Sequence, residues 1–240
     1  MLSLWDDNEA AQYPGELDLR VYTSRLFGRD KTLVLHGGGN TSVKVVEKNL
    51  FGEDQHVLYI KGSGCDLETI DAAGFAPLPL DYLRRLAQLE ALPDTQLVNE
   101  LATHTLKSPA PTPSVETVLH ACLPHKYVDH THADAVLSIT NSAGAESRMR
   151  EIYGDTVVII PYVMPGFALA RLCAKEYPRQ AGANTIGMVL MNHGVFAFAE
   201  TARQAYEHMI ELVNRAEDYL RRCKAWDIPA RRPRPTEPAS

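Results

Sequence analysis

Three histidines and one glutamate are the residues of this chain whose types and spacing could do chemistry together. The segment Val128-Asp129-His130-Thr131-His132-Ala133-Asp134 places two imidazoles at i and i+2. On a strand, such a pair leaves one face with its Cα atoms about 7 Å apart. Both rings can then converge on one cation, with Zn–N bonds of about 2.0–2.1 Å. Taken alone, His-x-His also describes two polar residues on an exposed strand face. A third histidine changes the weighing. His193, in Met191-Asn192-His193-Gly194-Val195, follows the apolar run 186–190 and so projects from a strand end. The glycine beside it permits a sharp turn. Three neutral imidazoles leave Zn²⁺ its two positive charges and an open position, which is the arrangement of a catalytic site. Co²⁺, Ni²⁺ and Mn²⁺ fit the same ligand type. Glu116, in Pro113-Ser114-Val115-Glu116-Thr117, falls in the first turn of a helix expected over 114–122. There it either meets the helix dipole or supplies a carboxylate for acid/base work. His36, His56, His104, His120, His125 and His208 lack such contexts and are assigned surface or hydrogen-bonding roles.

Two glycine-rich loops could serve an anion. His36-Gly37-Gly38-Gly39-Asn40-Thr41-Ser42 and Lys61-Gly62-Ser63-Gly64 each follow an expected strand. Their unshielded N–H groups can form a nest for phosphate oxygens, and each loop also suits a plain hairpin turn. Neither carries the GxxxxGK[ST] or GxGxxG pattern of a nucleotide site. Lys61 reads either as a point charge beside a phosphate or as a solvated lysine at a strand end.

These groups need a scaffold to meet. Apolar spacing predicts a helix over 17–26, ended by Gly28. Strands are expected over 32–35, 42–46 and 56–60, then helices over 79–89, 97–106 and 114–122. Strands 127–131, 156–160, 187–191 and 195–198 follow, interleaved with helices 133–140, 167–175 and 201–223. The last helix has Ala205, Met209, Leu212, Val213, Ala216 and Leu220 on one stripe. Short turns between strand neighbours imply at least partly antiparallel pairing with helices over both faces, a layered α/β/α single domain. Residues 15–225 form it, behind an N-terminal extension over 1–14. Residues 226–240, rich in proline and arginine, read as a flexible tail.

Composition narrows the partners. The 240 residues include 24 Lys+Arg and 30 Asp+Glu, a net charge of −6, and the pI is about 5.8. That balance argues against nucleic acid, which needs a basic face. No stretch approaches the roughly 20 apolar residues of a membrane span, and the acidic N-terminus does not fit a secretory signal. Cys65, Cys122, Cys173 and Cys223 are scattered and read as free thiols of a cytoplasmic protein.

In this order the motifs resemble the class II aldolase/adducin family. The matching segments are Gly39-Asn40-Thr41-Ser42, Ser63-Gly64, Pro113-Ser114-Val115-Glu116, His130-Thr131-His132 and Asn192-His193-Gly194. The text around them is similar to the aldolase half of bifunctional rhamnulose-1-phosphate aldolase/short-chain dehydrogenases. The resemblance implies a mixed, largely antiparallel sheet between helix layers and a homotetramer with active sites at subunit interfaces. It implies His130, His132 and His193 as the ligands of a metal ion, for which the imidazole donors make Zn²⁺ the first choice, and Glu116 as the acid/base. Gly39, Asn40, Ser63, Gly64 and Ser114, with Lys61, would hold the substrate phosphate. The implied activity is cleavage of a ketose phosphate to dihydroxyacetone phosphate and a small aldehyde, the metal stabilising the negative charge of the enediolate.

Some features depart from the pattern. Val115 stands where many relatives carry a second serine, and no tyrosine follows Tyr219 to act as a proton donor, a role that is either empty or falls to a residue such as Tyr162. Asp129 or Asp134 could orient a ligand histidine, although Asp134 also suits a helix start. No Rossmann signature is present, so hydride transfer is not expected from these residues. Two other readings use the same motifs. A sugar-phosphate epimerase, dehydratase or decarboxylase would share the metal site, but family epimerases tend to have Asp at the place of Glu116. A non-catalytic, adducin-like assembly module would have no need of the three histidines and the glutamate.

Overall fold

Alternation along the strands decides how this molecule is layered. In β7 (Gly194–Ala199), Val195 and Ala197 point to one side of the sheet while Phe196 and Phe198 point to the other, and all four are buried. Both faces must therefore be covered. The computed structural model describes residues 1–226, so the tail expected over 226–240 lies, apart from Trp226, outside the described residues.

The elements run α1 (Asp7–Ala10), α2 (Glu16–Arg29), β1 (Asn40–Lys48), β2 (Asp54–Lys61), β3 (Phe75–Pro79), α3 (Leu80–Leu86) and α4 (Asp94–Thr103). They continue with α5 (Thr117–Cys122), β4 (Tyr127–Thr131), α6 (Asp134–Thr140), α7 (Ala145–Tyr153), β5 (Val157–Ile160), α8 (Phe167–Gln180), β6 (Gly187–Leu190), β7 and α9 (Ala202–Arg222). The seven strands form one sheet in the order β3-β2-β1-β4-β7-β6-β5. Every neighbouring pair is antiparallel except β5 and β6. The sheet is thus mixed and largely antiparallel, between two helix layers, as expected.

Each layer closes its own core. Val157, Ile159, Val189, Val195 and Ala197 pack with α2, α6, α7 and α9, and the predicted stripe of α9 is buried there. Leu58, Ile60, Val128, Met188, Leu190, Phe196 and Phe198 pack with α3, α4, α5 and α8. The first residues of the chain lie against this body: the terminal ammonium meets Glu217 at 2.9 Å, and Asp6 N donates to the Tyr22 hydroxyl at 2.9 Å.

Six points of the expected element order need correction. Residues 32–35 form no strand. Asp30 folds them into a turn by accepting from Thr32 N and Oγ1, and Leu33 N bonds back to Asp30 O. Their carbonyls have another use, because Leu33 O accepts from His132 N and Thr32 O from Asp134 N. Pro77 and Pro79 hide strand β3 from a reading of the sequence, yet the sheet tolerates them because β3 is an edge. Helix α7 is hidden because it buries only Ala145, Met149 and Tyr153 on an otherwise charged surface. The helix expected from Ser114 begins at Thr117 instead. Glu116 sits one residue before it with φ −84° and ψ 2°, outside the helical turn. The two other helices expected near this face are also shorter or displaced, at Leu80–Leu86 and Asp94–Thr103.

Candidate metal centre

Strand register assembles the centre. Asn40 of β1 lies opposite His130 of β4, and His130 lies opposite Phe196 of β7. Cross-strand partners share a face, so these three side chains stand side by side beneath α5. Phe196 stacks on the His130 ring at 4.2 Å and fixes its plane. His130 Nδ1 donates to Val195 O at 3.2 Å, which leaves the Nε2 lone pair free to bind a cation. His132 follows directly after β4, its backbone tied to Leu33 O. His193 sits in the turn between β6 and β7. There Asn192 takes φ +59° and anchors the turn through its amide to Thr140 O and Asn141 Oδ1 at 3.0 and 3.1 Å.

The three rings converge. One nitrogen from each of His130, His132 and His193 lies within 4.8 Å of the others. His130 Nε2 and His132 Nε2 are 3.1 Å apart. Two nitrogens on one tetrahedral ion with bonds of 2.0–2.1 Å would stand roughly 3.3 Å apart. Burial holds all three imidazoles below their ordinary range, His130 furthest, with its neighbouring histidines adding to the effect. Neutral imidazole is the form that binds a metal. Two further observations fit a cation here: His193 Nδ1 and Glu116 Oε1 are buried with no hydrogen-bond partner.

Glu116 faces this triad. Its Oε1 is 3.4 Å from His193 Nε2 and its Oε2 is 3.7 Å from His130 Nε2. Asn40 Nδ2 donates to Oε2 at 2.5 Å. Burial pushes the carboxyl above the ordinary carboxylate range, against the nearby His193, Asn40 and Lys61, which lower it. A buried carboxyl with a raised pKa beside three rings that could hold a metal is a group able to take and return a proton.

The glycine loops reach the same place. Gly38 lies beside His132 Nδ1, a Cβ built on it falling 3.9 Å away, and Gly37 touches Gly64. Ser63 N donates to Thr112 O at 2.8 Å, which joins the Ser63-Gly64 loop to the segment carrying Ser114. The Ser114 hydroxyl accepts from Glu116 N at 3.2 Å and from Asn40 Nδ2 at 3.3 Å. Gly39 has φ +63°, and a Cβ on it would stand 2.8 Å from His130 O. Lys61 is not the solvated strand-end lysine of one reading. It is buried, and its ammonium donates to Gly37 O at 2.9 Å.

The structure overturns one sequence assignment, that of Asp129, and places two other residues. Asp129 points to the opposite face of the sheet and pairs there with Arg20, both groups fully buried, so it cannot orient a ligand ring. Tyr162 is half exposed, with its hydroxyl on Met164 Sδ at 3.8 Å. His120 belongs to the site although the sequence gives it no such role. It is fully buried and contacts both Asn40 and Ser42. Its spacing from Glu116, four residues on a short helix, is the one signal that points to it.

Gly194 carries a direct test of the packing. A Cβ there would stand 2.5 Å from Thr131 O, 2.9 Å from His130 Cε1 and 3.1 Å from His132 Cδ2. Gly194→Ala therefore displaces two rings at once. We expect metal affinity to fall by about 10–100-fold, the range for disturbing the supports of a metal ligand. Competition with a chromogenic chelator measures it, and wild-type affinity in the variant would show that the close approach does not matter.

The comparisons with known proteins concern the family and the fold. The model of the Class II Aldolase and Adducin N-terminal domain matches residues 19–220. An uncharacterized oxidoreductase of Bacillus subtilis, YuxG, is 39% identical over 217 residues, 90% of this chain and 31% of that protein. The chain thus spans about a third of that curated relative. The N-terminal class II aldolase domain of a conserved Thermoplasma acidophilum protein is 40% identical, covers 92% of this chain and 99% of its own, and superposes with a TM-score of 0.83. A sugar-phosphate aldolase from Thermotoga maritima shares the fold at 17% identity and a TM-score of 0.62, over 88% of this chain and 97% of its own. With convergent rings, a facing carboxylate and a match over most of its length, this chain belongs to the class II aldolase and adducin N-terminal domain family.

Proposed function

We propose that the chain is a divalent-metal aldolase, with Zn²⁺ as its ion, that cleaves a ketose phosphate of the rhamnulose 1-phosphate kind. The products are dihydroxyacetone phosphate and a small aldehyde. The observation that carries the reading is the buried Glu116 carboxylate, 3.4 and 3.7 Å from two of three convergent imidazoles.

His130, His132 and His193 would hold the ion, which when bound supplies Lewis acidity toward the negative charge of the enediolate. The protein's groups do the rest. Glu116 takes the proton of the C4 hydroxyl as the C3–C4 bond breaks, and the bonding pair stays on C3 while the aldehyde forms. The protonated carboxyl then returns that proton to C3. Asn40 keeps the carboxylate in place, and a raised pKa lets it hold the proton between the two steps. Lys61 would supply charge to the substrate phosphate, with Gly39, Ser63, Gly64 and Ser114 lining its seat. The acid/base is Glu rather than Asp, which favours aldol cleavage over epimerisation, dehydration or decarboxylation on the same metal site. An assembly module would gain nothing from a buried carboxylate aimed at three rings. The chain would act as a homotetramer, and four unpaired cysteines fit a reducing cytoplasm. Among the described residues, no helix is long and apolar enough to cross a membrane.

The experiment is a panel of ketose 1-phosphates and 5-phosphates assayed for aldehyde release, with and without a chelator. Release from at least one 1-phosphate, abolished by chelation and restored by Zn²⁺, is the expected result. Release that chelation leaves untouched would remove the metal from the mechanism, and epimer formation without aldehyde would favour the second reading.

A further inference from the structure

His120 is a buried titratable group beside the site that the proposed chemistry leaves without a task. It stands on α5 one turn after Glu116, whose carbonyl accepts from His120 N at 3.1 Å. Its ring is wholly buried and meets Phe196 edge-on at 5.3 Å. Nδ1 lies 2.8 Å from Ser42 Oγ, and Nε2 contacts Asn40 Oδ1. Asn40 and Ser42 are i and i+2 on β1 and share the face beneath α5. The amide of Asn40 donates from Nδ2 to Glu116 Oε2 at 2.5 Å and to Ser114 Oγ at 3.3 Å.

With Glu116 ionised, donor and acceptor chemistry permits one arrangement of this chain of groups. An ionised carboxylate only accepts, so Asn40 must turn its NH₂ toward Glu116 and its carbonyl toward His120. That carbonyl needs a donor, and among the described residues the hydrogen available to it is on His120 Nε2. Nδ1 is then an acceptor, and the Ser42 hydroxyl donates to it. Flipping the Asn40 amide would set its oxygen against the carboxylate and lose the Glu116 contact. From this we infer that His120, as the neutral Nε2–H tautomer, is a positioning residue that locks the Asn40 amide and thereby holds the Glu116 carboxylate toward the histidine triad. The inference rests on the reading of Glu116 as the acid/base. Burial, with the charges of Lys44 and Arg20 behind it, keeps the ring well below the ordinary imidazole range and therefore neutral. Phe196, edge-on to His120 and stacked on His130, keeps both rings in register.

Two measurements test it. The first needs no substrate: a long-range ¹H–¹⁵N spectrum of the zinc-loaded protein with ¹⁵N-labelled histidine, the His120 signals assigned by their loss in His120→Gln. A neutral ring protonated at Nε2 is expected. Protonation at Nδ1, or at both nitrogens, overturns the inference. The second follows exchange of a C3 hydrogen of dihydroxyacetone phosphate with solvent deuterium. His120→Leu should lower kcat by roughly 10²-fold, the scale for a misplaced catalytic group, with KM little changed. His120→Gln, whose amide donates from near the position of Nε2, should restore most of the rate. In a Glu116→Gln background, His120→Leu should cost nothing more, because the group it positions is gone. An equal loss in both backgrounds would mean ordinary packing and would overturn the role. Should His120→Leu fail to fold, His120→Asn takes its place, since it reaches Ser42 but falls short of Asn40. A Glu116→Gln chain exchanging at the wild-type rate would remove the acid/base reading and the positioning role with it. The spectrum tests the hydrogen-bond chain by itself.

Discussion

Glu116→Gln is expected to keep its metal and slow turnover by roughly 10²–10⁴-fold, the range for losing a positioned general acid/base. The substitution preserves shape. Gln carries an oxygen where Glu116 Oε2 accepts from Asn40 Nδ2, so that anchor survives and the side chain stays opposite the rings. What disappears is the ability to take and return a proton. The site is arranged for that ability, because burial raises the carboxyl while Asn40, His193 and Lys61 stop it from rising without limit. Metal content by atomic spectroscopy and turnover on a substrate from the ketose phosphate panel are measured on the same preparation. Near-wild-type turnover with full metal would take Glu116 out of the mechanism, whereas loss of metal would recast it as a ligand. Glu116→Asp is the useful companion, because it keeps the proton chemistry but retracts the carboxylate from the triad by one methylene.

His132→Ala should reduce bound divalent metal from about one ion per chain to near zero, since a three-histidine site loses a third of its donors. His132 is a better choice than His130 for this purpose. His130 lies in the core, with Phe196 stacked on it and Val195 O bonded to its Nδ1, so its removal would leave a cavity and an unpaired carbonyl. His132 is half-buried at the end of β4, and its backbone tie to Leu33 O does not depend on the side chain. Thermal unfolding of the metal-free proteins should therefore differ little between wild type and variant, while metal titration separates them completely. Unchanged metal content would show that the ion sits elsewhere.

Much of this site is legible in the amino-acid sequence. His130 and His132 alternate on a strand that β-branched and aromatic neighbours make clear, and His193 follows an apolar run that could only be a strand. The family resemblance adds Glu116 and the glycine loops together. The supports are not legible. Leu33 O holds the backbone of His132, yet its segment reads as a strand, because three apolar residues in a row give no period long enough to tell a strand from a turned plug. His120 escapes notice because a histidine on an apolar helix looks like any hydrogen-bonded core histidine until its partners are known. Asp129 is easily credited to the wrong face because its neighbours in sequence are not its neighbours in space.

The linear order of residues determined the chemistry on offer: which side chains can bind a cation, which can carry a proton, and which backbone can approach an anion. Those are properties of residue type and of short periods, and they survive without tertiary context. Only the folded sheet decided which of them meet. Pairing of β1, β4 and β7 sets Asn40, His130 and Phe196 in one row, although they lie on strands far apart along the chain. It sends Asp129 to the far face, where Arg20 waits. A strand's side chains alternate with period two, so each residue's assignment to the site or to the opposite core is fixed by register, and register is a property of pairs of strands.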